Sequence, residues 1–460
     1  MKALTEKEKA MNNKIRGKEK LSYALINFGN IPIMSLINGY LLVFYTNICG
    51  LNPAACATLF LIARIMDGLN DPFVGYVIDH LPNTKMGHFR PPLIVGTILV
   101  SINFLVLWFG PMLAVSGKLA IAYISYILLG FLFPVMDISL NSLLPVMTED
   151  MQERNGLSAI KGLVYALGAV IIAIAGPLIL GNVNNRSGYI VLVIAATSMV
   201  LICSVVGTLG VKERVLPKKD AKKYSVKDLL TFFMQKPVFI TFIAILMATI
   251  ASNIVSAANT YFYTYILGNL QISAVLSLVL CITLFPTTMI VAKLVKKFGK
   301  KKIYMIGLFI SALTPFLRLL DVRSFIILVI TSLLAGVGSG LIAPLNYSIQ
   351  ADNTDYIEYK TGMRAEAAIS SLSSFISKFA MGVGGSIPGY LLAAAGFNKA
   401  LEVQSSAVNN VIILCVIVIP SVIYLIGAAT FGMFYPLRHK ELEEMHDVLQ
   451  ERHSSETQVQ

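Results

Sequence analysis

Long apolar stretches run through this chain, broken at intervals by short polar or glycine- and proline-bearing punctuation. Residues 21–63, 91–117, 162–185, 187–211, 237–292, 324–351 and 403–437 contain no Asp, Glu, Lys or Arg, whereas a helix needs only about 20 apolar residues to cross a bilayer. Several runs hold two helices, because turn residues fall inside them: Cys49-Gly50-Leu51-Asn52-Pro53 in the first and Gly268-Asn269 in the fifth. The pattern predicts an all-α membrane protein of twelve transmembrane helices, at about 22–47, 54–80, 91–111, 118–146, 157–181, 187–211, 237–266, 272–296, 303–321, 324–350, 363–395 and 406–437.

Composition agrees and adds orientation. Of 460 residues, 56% are hydrophobic and only 13% charged, about half the charged share of a soluble domain. The net charge of +12 raises the question of a nucleic-acid partner, but so apolar a chain offers no solvated basic face of the needed size. With an even number of spans, 29 of the 37 Lys and Arg fall on one side and five on the other, leaving Arg64, Lys161 and Lys378 in or at the ends of spans. That bias places both termini in the cytoplasm of a cell-membrane protein. The first 20 residues mix seven basic with three acidic side chains and run straight into a span, so no cleavable signal peptide is expected.

The basic 212–236 segment divides the chain in two. The expected organisation is a cytoplasmic tail over 1–20, a six-helix bundle over 21–211, a cytoplasmic loop over 212–236, a second six-helix bundle over 237–437 and a cytoplasmic tail over 438–460. The halves are weakly alike. Lys85-Met86-Gly87-His88-Phe89-Arg90 after span 2 has a counterpart in Lys297 to Lys302 after span 8, and acidic turns follow span 4 (Glu149, Asp150, Glu153) and span 10 (Asp352, Asp355, Glu358). Two such repeats are the layout of a transporter with its site near the midplane.

Ionisable groups inside spans single out the candidate site, since each costs several kcal/mol unless it meets a partner or a cavity. Arg64, Asp67 and Asp71 stack on one face of span 2. Two carboxylates one turn apart repel, so they call for a shared proton or cation. Asn70 adds a carbonyl oxygen, and an oxygen-only set suits Na⁺ or H⁺; a structural Arg64–Asp67 pair is the plainer alternative. Asp137 and Asn141 lie one turn apart on span 4, Lys161 opens span 5, and Lys378 follows a serine-rich face (Ser370, Ser371, Ser373, Ser374, Ser377) on span 11. Asn27, Asn30 and Asn38 form a polar stripe on span 1 that lipid would reject. Those groups meeting in one cavity is the functional expectation, and a helix-locking network is the alternative. All five His fall on cytoplasmic segments, and the five Cys have no metal or redox spacing, with nothing that requires an outer-face Cys49–Cys56 disulfide. No nucleophile sits with a base and no cofactor motif occurs, which argues against an enzyme.

Five segments in order carry a family resemblance: Lys20-Leu21-Ser22-Tyr23, Ala63 to Asp67 with Asn70-Asp71-Pro72, Gly87-His88-Phe89-Arg90-Pro91, Met136-Asp137-Ile138, and Asp355-Tyr356-Ile357-Glu358-Tyr359 through Arg364. Over nearly its whole length the chain resembles the glycoside-pentoside-hexuronide:cation symporters of the major facilitator superfamily, the family of the melibiose carrier. The resemblance implies cation-coupled sugar symport, with Asp67, Asn70 and Asp71 on the cation (Asp67 and Asp71 as Na⁺ ligands if sodium is used). It implies Asp137 as a sugar-hydroxyl ligand and Lys378 near both sites, and the polar residues of the spans add Asn27, Asn30, Asn141, Lys161 and Ser374 around the substrate. Arg64, Asp79, Arg90 and Arg364 are then gating or cytoplasmic-turn residues. Lys161 stands where the family has an arginine. Ile31 replaces a galactoside-binding acid, Asn141 and Ala343 replace two tryptophans, and the lone Trp108 is expected to anchor at the membrane interface. These departures disfavour a melibiose-type galactoside and leave room for an anionic hexuronide or a neutral pentoside. A non-sugar cargo, lysolipid or nucleoside-like, and a non-transporting sensor are the rivals. Expected partners are a sugar, the coupling cation and the lipid bilayer.

Overall fold

The structure is a computed structural model describing residues 15–148, 150–214, 231–362, 366–401, 403–437 and, in the C-terminal tail, 441, 444, 445, 448 and 449. The chain forms two compact units, Met1–Ala221 and Lys222–Gln460. Both are helical, and no strand occurs among the described residues.

In the first unit the helices are α1 (Gly17–Leu36, continued by π turns at Ile37–Leu41 and Phe44–Ile48), α2 (Pro53–Asp79), α3 (Arg90–Leu113), α4 (Lys118–Met147), α5 (Met151–Leu180) and α6 (Arg186–Gly210). Local chemistry sets their ends. The Asn52 side chain accepts from the Ala54 N–H at 2.8 Å and Pro53 opens α2, while Asn185 caps α6 through the Gly188 N–H at 3.0 Å. Against α1 pack α6 and α5, and α4 packs on α3 and α2. Close crossings need small residues: a Cβ at Gly207 on α6 would overlap the Ser22 carbonyl and Ile26 of α1.

The second unit holds α7 (Lys236–Tyr261, with a π turn at Phe262–Ile266), α8 (Ile272–Phe298), α9 (Lys300–Leu313, closed by a 3₁₀ turn at Thr314–Leu319), α10 (Phe325–Thr361), α11 (Glu366–Ala394), α12 (Ser406–Ile413) and α13 (Ile419–Phe434), the last two joined by a π turn at Leu414–Val418. In its core Tyr304 meets Phe431 edge to face and Phe431 stacks on Tyr435, with ring centroids 4.8 and 4.4 Å apart.

Among the described residues nine helices are long and apolar enough to cross a membrane. Large side chains such as Ile124, Ile282, Met289 and Ile326 are exposed on them, as lipid contact requires and water would penalise. Outside those nine stand α1, α2 and α11, the helices whose apolarity is diluted by Asn27 and Asn30, by Arg64 to Asp71, and by the serines before Lys378.

Four expectations change. Helix α1 begins at Gly17, inside the 1–20 segment read as tail. Lys161 does not open α5 but lies ten residues in, because the helix starts at Met151. The acidic segment after span 10 is helix, not turn: α10 continues through Asp352, Asp355 and Glu358 to Thr361 and stops at Gly362, whose φ of 69° suits a residue without Cβ. Within this continuation the buried Asp352 pairs with Lys300 at 2.6 Å. Finally, Trp108 is no interface anchor. It is fully buried, with its ring 4.8 Å from Phe44 and 6.1 Å from Tyr189. Cys49 and Cys56 are free, buried thiols.

Candidate functional site

A polar network joins three helices of the first unit. The Asn30 amide on α1 donates to Asp137 Oδ1 on α4 at 2.7 Å and to the Tyr165 hydroxyl on α5 at 2.9 Å. Asn141, one turn beyond Asp137, donates to its other oxygen at 3.0 Å. The Lys161 ammonium donates to the Asn141 carbonyl oxygen and lies 5.8 Å from the Tyr165 ring centroid. Both Asp137 oxygens therefore accept from neutral amides, and the Lys161 ammonium is within electrostatic reach of the carboxylate. Asn30 is buried and Asn141 exposed, so the network runs from packed interior to an accessible edge. Near its closed end Asn27 is fully buried, its amide nitrogen donating to the Tyr23 carbonyl at 2.8 Å.

A second cluster lies on α2. Arg64 donates to Asp67 Oδ2 at 3.3 Å and to Asn38 Oδ1 on α1 at 3.0 Å, touches the Met34 sulfur at 3.6 Å, and sits 6.0 Å from the Tyr126 ring centroid on α4. The Arg64–Asp67 pair is almost wholly buried. Asn70 is buried with no partner for its amide nitrogen among the described residues, and Asp71 is half-buried. Asp67 Oδ1 fits against α4 only because position 130 is glycine: a Cβ there would overlap that oxygen. One turn on, the buried Pro134 has no N–H to give the Gly130 carbonyl, so α4 leaves a backbone oxygen without its helical donor at the level of Asp67. Carboxylate, amide and carbonyl oxygens are the donor types that a hard monovalent ion takes. No group of three or more His, Cys, Asp or Glu among the described residues is arranged to hold a metal ion.

The two clusters share α4. Gly130 and Asp137 are seven residues apart, hence on one face and ~10 Å apart along the axis. Asp67 packs against Gly130 of the helix that carries Asp137.

At the α2–α3 turn, Arg90 holds carbonyls rather than a carboxylate. Its side chain donates to Thr208 and Leu209 at the end of α6, at 2.9 and 3.1 Å, and to Met86 at 3.0 Å. In return Glu213 accepts from the backbone N–H groups of His88, Phe89 and Arg90 at 2.7, 2.9 and 2.9 Å. Gly87, with φ of 113° and no side chain, leaves room for that carboxylate. Asp79 closes α2, and Arg364 lies outside the described residues. In the second unit Ser374 is exposed and Lys378 half-buried on α11. The Tyr435 phenol just past α13 is pushed up by burial and, next, by the Asp352 carboxylate.

Sequence reasoning missed Tyr165, Gly130 and Glu213. Tyr165 has a signal, standing one turn after Lys161. Gly130 could be found only from its distance of one turn before Pro134. Glu213 has none, because its partners are backbone amides more than a hundred residues away.

Comparison with known proteins follows the same line. Residues 22–439 match the family described as MFS/sugar transport protein. The isoprimeverose transporter of Lactiplantibacillus pentosus is 30% identical over 460 aligned positions, covering 96% of this chain and 93% of that one. The glucuronide carrier protein homolog of Escherichia coli (strain K12) is 29% identical, covering 95% and 96%. In fold the chain resembles a bacterial homolog of the human lysosomal transporter Spinster in its inward-facing, occupied conformation, with a TM-score of 0.66 over 90% of this chain and 94% of that one at 13% identity. The chain belongs to the MFS/sugar transport protein family of multi-pass membrane transporters, and it is not an enzyme.

Proposed function

We propose that this protein is a cation-coupled sugar symporter of the glycoside, pentoside and hexuronide class, driven by Na⁺ or H⁺ through alternating access. In this reading twelve spans form two six-helix bundles, 21–211 and 237–437, with both termini and the 212–236 loop in the cytoplasm. Asp67, Asn70 and Asp71 take the cation, and Asp137, Asn30, Asn141, Lys161 and Asn27 take the sugar; Ser374 and Lys378 are the substrate residues of the second unit.

The observation that carries the proposal is the pairing of two polar clusters across α4. Asp67 rests against Gly130, and Asp137 projects from the same face two turns later. Neutralising Asp67 and Asp71 with a cation removes a like-charge penalty and frees Asp137 to exchange its Asn30 and Asn141 bonds for sugar hydroxyls. Sugar then raises cation affinity by the factor that cation raises sugar affinity. Lys161, with Ile31 in place of an acid, gives the substrate cluster a cationic edge suited to a uronate. The two relatives, named for isoprimeverose and glucuronide carriage, support a sugar cargo.

Purified protein in liposomes, given labelled pentosides, glycosides and glucuronides with and without Na⁺ or H⁺ gradients, tests this. Gradient-dependent accumulation of a sugar, lost in Asp67→Asn, is expected. Accumulation indifferent to both gradients, or of nucleosides in preference to sugars, would sink it.

A further inference from the structure

Arg318 lies in the 3₁₀ turn Thr314–Leu319 that closes α9, at the end of that helix remote from Lys300, Lys301 and Lys302. A guanidinium carries five N–H donors and stays charged. One donor is accounted for: Nε bonds the Thr331 hydroxyl on α10 at 3.0 Å, and that hydroxyl is itself turned onto the Leu328 carbonyl at 3.0 Å. Thr331 is fully buried, so one edge of the guanidinium is fixed in place.

The other edge is open. Neither Nη group has an acceptor among the described residues, and no described carboxylate forms an ion pair with Arg318. Tyr263, within electrostatic reach, is a phenol and supplies no counter-charge. Asp321, the nearest acid in sequence, accepts from the Arg323 backbone N–H at 3.0 Å. The side chain is half-buried, so its charge is only partly hydrated. Leu317, Leu319 and Leu320 beside it in the chain, and Phe325 and Ile326 at the start of α10, are exposed, a group of apolar side chains at the end of a membrane-spanning helix. Arg323 is exposed five residues on.

A half-buried cation, anchored on one edge, open on two adjacent N–H groups and flanked in the chain by exposed apolar side chains, has the chemistry of a phosphate receptor at a bilayer surface. The fork of Nη1 and Nη2 matches two oxygens of a tetrahedral phosphate, and acyl chains would cover those side chains. We propose that Arg318, oriented by Thr331 and assisted by Arg323, binds the phosphodiester of an anionic phospholipid. This site is independent of the α1, α2, α4 and α5 clusters.

The test is native mass spectrometry of the full-length protein from mixed micelles with equal dioleoyl phosphatidylglycerol and dioleoyl phosphatidylcholine. The wild type should retain phosphatidylglycerol in preference. Arg318→Gln should lower that retention about tenfold, the effect of losing charge-assisted hydrogen bonds. Thr331→Val should lower it in the same direction, and Arg318→Lys, a point charge without the fork, should fall between. Equal retention of the two lipids by the wild type overturns the proposal, as does undiminished phosphatidylglycerol retention in Arg318→Gln. Displacement by millimolar inorganic phosphate overturns the lipid assignment in favour of a soluble anion. If Arg318→Gln yields no folded protein, the wild-type lipid preference and Thr331→Val decide.

Discussion

Adding one methyl group at position 130 tests the link between α2 and α4. In Gly130→Ala the new Cβ would occupy space held by Asp67 Oδ1, so the carboxylate must retreat by about 1 Å, whereas a metal–ligand distance tolerates only about 0.2 Å. Moving a unit charge from about 2.4 to about 3.4 Å from a monovalent cation, at an effective dielectric of about 20, loses about 2 kcal/mol. That is about thirtyfold in cation affinity. The Arg64–Asp67 pair, now at 3.3 Å, loosens too, but Asn38 and Met34 still hold the guanidinium, so the helix should stay folded. The assay is sugar uptake into liposomes across a cation titration. The half-saturating cation concentration should rise about thirtyfold, while sugar exchange at saturating cation persists. Pro134→Ala, which restores an N–H to the Gly130 carbonyl, should shift the same parameter in the same direction, by less. A folded Gly130→Ala protein with an unchanged cation requirement would refute both the geometry and the placing of the cation at Asp67.

Further outcomes follow from other contacts. Lys161→Met removes the donor to Asn141; the half-saturating sugar concentration should rise about tenfold with the cation requirement unchanged, and an unaltered value would exclude Lys161 from the substrate network. Glu213→Gln weakens three charge-assisted bonds at the start of α3 and should cost about 1–2 kcal/mol, read as a lower unfolding temperature with transport intact at permissive temperature; wild-type unfolding would contradict the role given to Glu213. Alkylation after denaturation without reductant should modify all five cysteines, and a product two short would mean that Cys49 and Cys56 are joined.

The long apolar runs made the helices legible, and caps such as Asn52-Pro53 located their ends closely. What stayed hidden depends on contacts between distant residues. Asp352 reads as a loop charge, whereas in the fold it is buried in α10 and paired with Lys300. Trp108 follows the habit of interfacial tryptophans, but Phe44 and Tyr189 enclose it. The π turns at Ile37–Leu41 and Phe44–Ile48 have no signature in residue type, since a π turn arises where packing forces an extra residue into the helix. In the candidate site the charged residues announced themselves by being costly in a span, whereas Gly130 acts by lacking a side chain and Tyr165 looks like any other core aromatic. Periodicity reports which residues share a face, but not which neighbour that face meets.

The three amides held by Glu213 have a use beyond stability. An N–H at the first turn of a helix ordinarily exchanges with solvent quickly, because no helical carbonyl protects it. His88, Phe89 and Arg90 should instead exchange only when Glu213 departs. Their deuterium uptake is therefore a clock for the attachment of the segment that leads into residues 215–230, readable in the unlabelled wild-type transporter while it works.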